Sequence, residues 1–476
     1  MLKKLLFDTL VYSIAPRLPL IVSFFILPIT TQYLTPLDYG VNGVIMAYFG
    51  ILVGFRELGL GVILTNTFYR HNKSYQLVWR NILGFLYIWG IVYVFAFGLL
   101  LYLVFPAEAE SNKWLIMGLV LFPLLVFSPI ERVANQYYQL KRKPIPISVI
   151  SLSASFVGIA VSFYCIVYLQ LGYLSWFISA FISNFISSSA YIYLMTVKHK
   201  FIPIFRFNIS TFKRYLRIGL PVVPHQYASY LLNSSDRVVM DVMSVNNADL
   251  GKYNFAYTFG NMSQQMAQGV TTASRPYYMS ILAGNKPDKL IEFRKLTFFL
   301  LKVFIAITFI GCLWLKEIFG ILVNNDELRA MYPLAIIIIM SYNFTPMYQN
   351  ASLVLSYNEN TNALWKISLT AGILNVLLNF IFIPIYGYKV AAITTFATLL
   401  FLGFRGNFMK KYKEDQPLKN YSSAWIVALA GSTLLVYLLR DIHFSWKIGV
   451  SIIILIGLVL MYKRKYSNVF TSKLIG

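Results

Sequence analysis

ILGFLYIWGIVYVFAFGLLLYLVF (residues 82–105) runs without a single charge. Its length exceeds the roughly 20 residues that an α-helix needs to cross a hydrocarbon core. Similar runs recur along the chain. Of its 476 residues, 58% are hydrophobic and only 12% are charged, about half the charge of an ordinary soluble protein. The sequence therefore predicts an all-α polytopic membrane protein of about 14 transmembrane helices. The first lies near 9–34, the second near 40–66, the eighth near 250–282 and the last near 446–462.

The N-terminal stretch MLKKLLFDTLVYSIAPRLPLIVSFFILPIT starts basic and turns apolar, as a signal peptide does. Asp8 interrupts the apolar run and no small-x-small cleavage site follows, so the expectation is an uncleaved first helix. Cys165 and Cys312 sit in apolar runs with no metal-ligand spacing, which suits plain core residues.

Net charge is +23, from 41 Lys and Arg against 18 Asp and Glu. On a soluble chain that excess would suggest nucleic acid as a partner. Here the charges alternate with the spans. Asp38, Glu108, Glu110, Asp249, Asp326 and Glu327 fall in one set of loops. The other set holds Arg70, Lys73 and Arg80, then Lys141 to Lys143, then the basic stretch 198–217, then Lys286 to Lys295, then Lys410 to Lys413. Both termini are basic as well. By the positive-inside rule the chain is N-in and C-in, and no nucleic-acid partner is needed. The inner loop 357–362 (YNENTN) carries no Lys or Arg and departs from the pattern. The longest loop, about 197–214, carries FNISTFKRYLRIGLP, which reads as a short interfacial amphipathic segment.

An internal repeat is visible. Pro16-x-x-Pro19 is echoed by Pro221-x-x-Pro224 at an offset of 205. TPLDYG (35–40) is echoed by NADLGK (247–252), their Asp-x-Gly turns 211 apart. FSP (127–129) is echoed by FTP (344–346) at 217, and LGY (171–173) by YGY (386–388) at 215. Six spans separate the copies, so both have the same orientation in the membrane. The expected architecture is two pseudo-symmetric six-helix lobes around a central cavity, with two C-terminal helices outside the repeat. The domains are 1–200 (spans 1–6), 201–412 (spans 7–12) and 413–476 (spans 13 and 14).

Charges inside the spans point to function. Arg17, Arg56, Glu57, Glu131, Arg132, Asp236, Arg237, Asp241, Arg275 and Lys366 lie within or near them. Facing lipid at mid-helix, each would cost about 2.5–3.5 kcal/mol on the insertion scale. Neighbours on a helix point about 100° apart. The pairs Arg56-Glu57, Glu131-Arg132 and Asp236-Arg237 are therefore expected to find partners on other helices, in water or on a substrate. Arg237 and Asp241, four apart, can meet on one face. Interhelical ion pairing is the plainer reading; a net-positive polar lumen is the functional one. Span 8 carries a polar stripe of Asn254, Thr258, Asn261, Gln264, Gln268, Thr271 and Arg275 at steps of three or four. Tight polar packing between helices and exposure to a cavity both fit it. Amides and Tyr hydroxyls suit a sugar; Arg suits a phosphate. His225 beside Pro224 fits a packed structural histidine better than a pH switch. Walker A, GxSxG and HExxH motifs are missing, so the chain is expected to be a transporter and not an enzyme.

YLTPLDYGVNGVIMAYFGILVGFRELGLG (33–61), KRYLRIGLPVVPHQYASYLLNSSDRVVMDVM (213–243) and ADLGKYNFAYTFG (248–260) resemble the Wzx-type polysaccharide flippases. These belong to the multidrug/oligosaccharidyl-lipid/polysaccharide (MOP) exporter superfamily. The resemblance covers essentially the whole chain and implies a MATE-like, V-shaped two-lobed bundle. It implies alternating-access export of an undecaprenyl-pyrophosphate-linked oligosaccharide, such as an O-antigen repeat unit, from the inner to the outer leaflet of a bacterial cytoplasmic (inner) membrane. Proton or sodium coupling is implied, with no other cofactor. Membrane lipids and other membrane proteins of polysaccharide assembly are the partners expected besides the substrate. On this reading Arg17, Arg56, Arg132, Arg237, Arg275 and Lys366 face the pyrophosphate or acidic sugars. Tyr230, Asn261, Gln264 and Gln268 face sugar hydroxyls, and Glu57, Glu131 and Asp236 couple the ion. A lipid II flippase and a multidrug/cation antiporter of the same superfamily are the alternatives, with a membrane glycosyltransferase, polymerase or ligase further off. The Arg excess counts against a cationic cargo, and the short loops count against an enzyme.

Overall fold

The computed structural model describes residues 18–70, 74–141, 143–283, 288–357, 361–405 and 422–461. Among them there is no β-strand. The helices in chain order are α1 Leu18–Tyr33, α2 Pro36–Leu52, α3 Gly61–Arg70, α4 Tyr75–Leu103, α5 Lys113–Val126, α6 Ser128–Leu140, α7 Pro144–Val167 and α8 Leu174–Ile192. Then come α9 Ile209–Gly219, α10 Val223–Asn233, α11 Ser235–Val242, α12 Asn247–Ala283 and α13 Lys289–Leu313. The chain continues with α14 Leu315–Leu322, α15 Asp326–Arg329, α16 Tyr332–Ser341 and α17 Thr345–Tyr357. It ends with α18 Thr361–Tyr386, α19 Val390–Arg405, α20 Ser422–Leu439 and α21 Phe444–Met461.

Eight helical stretches among the described residues are long and apolar enough to cross a membrane, and two shorter apolar helices, Val390–Arg405 and Ala424–Leu439, accompany them. Four expected spans take other forms. The first is described from Leu18 onward. The seventh and tenth are each split into two short helices, at Ser234 and at a tight turn over Tyr342–Phe344. The eighth is α12, one 37-residue helix that is polar along much of its length. The chain is thus an all-α, multi-pass membrane protein, and its described helices accommodate the fourteen spans that its hydropathy predicted.

Two units divide the chain. One comprises Met1–Tyr230 with Asn246–Gly251; the other comprises Leu231–Val245 with Lys252–Gly476. The first unit contains a joint between the two repeat copies. Gly40 of α2 lies against the Asn247 carbonyl, and Gly251 of α12 against the Pro36 carbonyl. A Cβ on either glycine would sit 1.9 Å or 1.7 Å from that oxygen. Helix ends can cross this closely only where the side chain is a hydrogen. The Asp-x-Gly turns picked out by the repeat are therefore partners in space.

Asp38, placed in an acidic loop by the charge pattern, is buried and structural. It closes a capping box with Thr35: Thr35 N–H donates to Asp38 Oδ2 at 2.8 Å, and Asp38 N–H donates to Thr35 Oγ1. Its other oxygen accepts from the Tyr173 N–H at 2.7 Å. Removing the carboxylate strips a cap and leaves a backbone donor unpaired. Asp38→Ala is expected to cost about 1–3 kcal/mol, seen as a lower melting temperature of the purified protein. An unchanged melting temperature would refute the assignment.

The second unit includes α20 and α21, which are fastened to its body by a polar cluster. Lys447 of α21 is fully buried. Its ammonium donates to Glu317 Oε1 at 2.7 Å, to Oε2 at 2.9 Å and to the Arg440 carbonyl at 2.7 Å. Lys316 and Tyr332 both donate to Asp441 Oδ1 at 2.8 Å, and Trp314 donates to Ser451 at 3.0 Å. The C-terminal pair lies outside the repeat, yet it is anchored by groups on α14 and α16.

Candidate functional site

Among the described residues, each unit has a charge cluster where a helix is interrupted. In the first unit α2 ends at Leu52 and tightens into a turn over Val53–Phe55. Leu58 and Gly59 then take left-handed backbone, with φ of 48° and 68°. Gly59 is required twice over, since a Cβ there would also lie 2.0 Å from the Gly219 carbonyl. Carbonyls freed by the break find ring donors: Trp89 Nε1 donates to Phe55 O at 2.9 Å, and the Tyr227 hydroxyl donates to Ile51 O.

Arg56 and Glu57 sit in this break. Glu57 is bridged by two guanidiniums: Arg56 Nη2 is 3.2 Å from Oε1, and Arg132 Nε on α6 is 2.8 Å from Oε2. Both arginine side chains keep about a third of their surface, 33% and 35%, while Glu57 keeps 16%. Arg132 reaches the site because Gly61, at the start of α3, leaves room; a Cβ there would meet Nη2 at 2.2 Å. Two cations against one carboxylate leave the cluster net positive. Beside it, among the described residues, the buried hydroxyl of Tyr93 and the buried Nε atoms of Arg56 and Arg132 make no hydrogen bond, so that Arg132 Nε meets Glu57 as an ion pair alone. These groups border a hollow of about 10 Å³, close to the space of a single water. Glu131, next to Arg132, turns the other way and accepts from Ser187 at 2.7 Å and Ser188 at 2.8 Å on α8.

In the second unit Ser234 interrupts the seventh span, and Asp236 and Arg237 lie in the first turn of α11. Asp236 is 1% and Arg237 6% exposed. The Asp236 carboxylate curls onto the helix end, where Oδ1 accepts from the Arg237 N–H at 2.9 Å and from Arg237 Nη1 at 3.2 Å. Its Oδ2 accepts from the Tyr253 hydroxyl. Arg237 also donates from Nε to Asn254 Oδ1 at 2.8 Å and from Nη1 to the Asn233 carbonyl at 2.7 Å. The guanidinium stacks on Tyr257, 4.0 Å from the ring centroid. Tyr257 and Tyr342 hydroxyls meet at 2.9 Å, and Tyr342 and Gln264 both donate to Asn233 Oδ1, at 3.2 and 3.1 Å. Asn375, Asn379, Thr394 and Thr398 extend a buried polar ladder between α18 and α19.

These facts revise several expectations. Arg56-Glu57 and Asp236-Arg237 do pair within themselves. The 100° offset holds inside a continuous helix, whereas one pair lies in a break and the other at a helix start where the carboxylate folds back. The Nε and Nη1 donors of Arg237 are committed within the protein, and its charge is paired with Asp236 in a buried setting. The stripe on α12 also divides. Asn254 and Gln264 bind α10 and α11 residues, Asn261 is half-buried, and Gln268 and Arg275 are exposed. Tyr230 is buried against Gly50, where a Cβ would lie 2.4 Å from its ring. Lys366 is exposed and, like Arg275, makes no ion pair among the described residues. Arg17 and the side chain of His225 lie outside the described residues. Asp241 is half-buried.

Sequence reading missed Tyr253, Tyr257 and Tyr342. A signal existed: Tyr253 and Tyr257 are four apart, one position off the stripe, and Tyr342 adjoins a polar Asn343 in an otherwise apolar stretch. Asn375 with Asn379, and Thr394 with Thr398, are likewise matched i, i+4 pairs in otherwise apolar helices.

A family described as "Polysaccharide biosynthesis protein" matches residues 5–282. No curated protein matches the sequence. Among solved structures, the chain is similar to an inward-facing multidrug resistance MATE family transporter of the MOP superfamily (TM-score 0.60, 14% identity, 89% of this chain and 96% of that one). It is similar to the lipid II flippase MurJ in its inward closed conformation (TM-score 0.61, 14% identity, 88% and 98%). A MOP superfamily transporter from Pyrococcus furiosus, described as having a binding pocket of reverse polarity, also resembles it (TM-score 0.54, 14% identity, 89% and 96%). These likenesses show a shared fold.

Proposed function

The chain belongs to the polysaccharide biosynthesis protein family, and on that premise we propose that it is a flippase for a lipid-linked oligosaccharide. The cargo is a polyprenyl-pyrophosphate-linked repeat unit, carried from the inner to the outer leaflet of a bacterial cytoplasmic membrane, with both termini on the inner side. The observation that carries this reading is the Arg56–Glu57–Arg132 cluster: two partly open guanidiniums held at a helix break around one carboxylate. Guanidinium groups bind phosphate oxygens through paired donors that an ammonium cannot match. A net-positive cluster suits an anionic headgroup and disfavours a cationic drug.

Glu57 gives the cluster a second state. With the carboxylate charged, both arginines are engaged within the protein. A proton or sodium ion on Glu57, or a competing phosphate, would release them. Ion coupling and anion binding then act on the same two guanidiniums, and ion coupling is assigned to Glu57 alone. Glu131 is committed to two serines, and Asp236 to Arg237 and Tyr253.

The test is complementation of a panel of strains, each lacking one flippase: for O-antigen, for capsule or for lipid II. One strain is expected to regain surface polysaccharide. In that strain Arg132→Ala is expected to lower export by at least tenfold at normal protein level, on the order of one lost charge-assisted hydrogen bond. Arg132→Lys should fall between. Wild-type export from both Arg56→Ala and Arg132→Ala would overturn the anion site. Rescue of the lipid II strain alone would redirect the substrate.

A further inference from the structure

Away from both charge clusters the second unit contains a cavity of about 690 Å³. Its walls include Met331, Leu334, Ile337, Phe382, Ile393 and Tyr437. Of its polar lining side chains, Thr394 is already satisfied, donating to Asn379 and to the Ala391 carbonyl. Ile393 and Tyr386, at 55% and 68% exposure, stand at the mouth. The apolar stretch Trp365–Tyr386 ends there, and Tyr386, Tyr388 and Lys389 follow in the manner of an interfacial belt. The hollow thus opens at headgroup level and continues beside hydrocarbon.

Its wall on α20 is tied down by polar contacts. Tyr437 belongs to α20. Arg440 lies 4.0 Å from the Tyr437 ring and donates to the Tyr437 carbonyl at 2.6 Å. The same turn is fastened by the Lys447–Glu317 and Lys316–Asp441 pairs. The pocket is therefore preformed and apolar, within the size range of small-molecule sites. Lys389 lines it and is exposed, and among the described residues no carboxylate pairs with it.

We propose that this cavity holds the acyl chains of an anionic membrane phospholipid whose headgroup phosphate is bound by Lys389. The inference goes beyond the transported cargo and does not depend on the flippase reading. An apolar hollow facing a bilayer loses dispersion contacts unless hydrocarbon fills it. A lone lysine at the interface favours an anionic headgroup by charge.

The full chain would be placed in nanodiscs of phosphatidylcholine containing phosphatidylglycerol with a photoreactive group in one acyl chain. Labelled peptides would then be mapped by mass spectrometry. Label is expected to concentrate on Leu334, Phe382 and Ile393 over Ile453 and Val459, which are exposed on α21. Lys389→Ala should lower the preference for phosphatidylglycerol over an identically tagged phosphatidylcholine by about fivefold, the effect of one lysine near a membrane surface. Ala397→Phe should displace the label from the cavity. Ala397 lines the cavity and is exposed, so added bulk enters empty space; Ile393→Trp is the second filling variant. Even labelling of both surfaces would overturn the proposal. So would cavity label that ignores the headgroup and is removed by undecaprenyl phosphate, which would make the occupant a carrier-lipid tail.

Discussion

Arg237→Met is expected to lower the melting temperature of the purified protein by roughly 10 °C, the scale of breaking a buried ion pair in a domain of this size. It would leave Asp236 charged, 1% exposed and stripped of its cationic partner. Asp236→Leu should do comparable damage, because Arg237 would then be the orphan. The double variant is expected to recover most of the loss, since an apolar replacement of similar volume removes both desolvation costs together. The protein supplies its own reporter: its two cysteines, Cys165 and Cys312, are both free and buried, so a thiol-reactive dye reports unfolding. A double variant as unstable as either single one would show that the pair is needed for more than mutual neutralisation. Single variants that melt normally but fail in export would return Arg237 to the substrate site.

The other large effect is steric. Gly251→Val should leave little folded protein, because its Cβ alone would overlap the Pro36 carbonyl at 1.7 Å, and the obstacle is backbone. Gly40→Val should behave alike against Asn247. Gly311→Ala is the control. It lies in α13 with nothing within 4 Å of its Cβ position, and a helical Gly→Ala exchange there should be neutral or stabilising by about 0.5–1 kcal/mol. Folded yield by size-exclusion chromatography separates the cases. Normal yield of Gly251→Val would mean that α2 and α12 do not cross as described.

Both predictions concern features that the sequence disclosed unevenly. The spans were legible because a bilayer imposes one coarse demand, a sustained apolar run, which residues 82–105 meet without help from tertiary structure. The Asp-x-Gly echo was legible as a repeat, but its meaning was not. Nothing in one dimension says that Gly40 meets Asn247 while Gly251 meets Pro36. Charged positions such as Arg56 and Arg237 stood out, since charge in an apolar helix is costly anywhere. Which of them would be consumed by the fold was hidden. That depended on helix breaks at Arg56–Gly59 and at Ser234, and on the neutral hydroxyls of Tyr253, Tyr257 and Tyr342, which no charge count registers. Gly59 marked the first break; Ser234 carried no comparable sign.

The interrupted second span has one more consequence. Over a few residues its backbone gives up its own ladder and leans on the rings of Trp89 and Tyr227. Arg56 and Glu57 lie in that same unwound segment. The direction in which the chain turns and the ionic state of the site therefore share one set of atoms. Under the proposed ion-coupling role of Glu57, a change of charge there acts on the same unwound backbone that sets the direction of the helix.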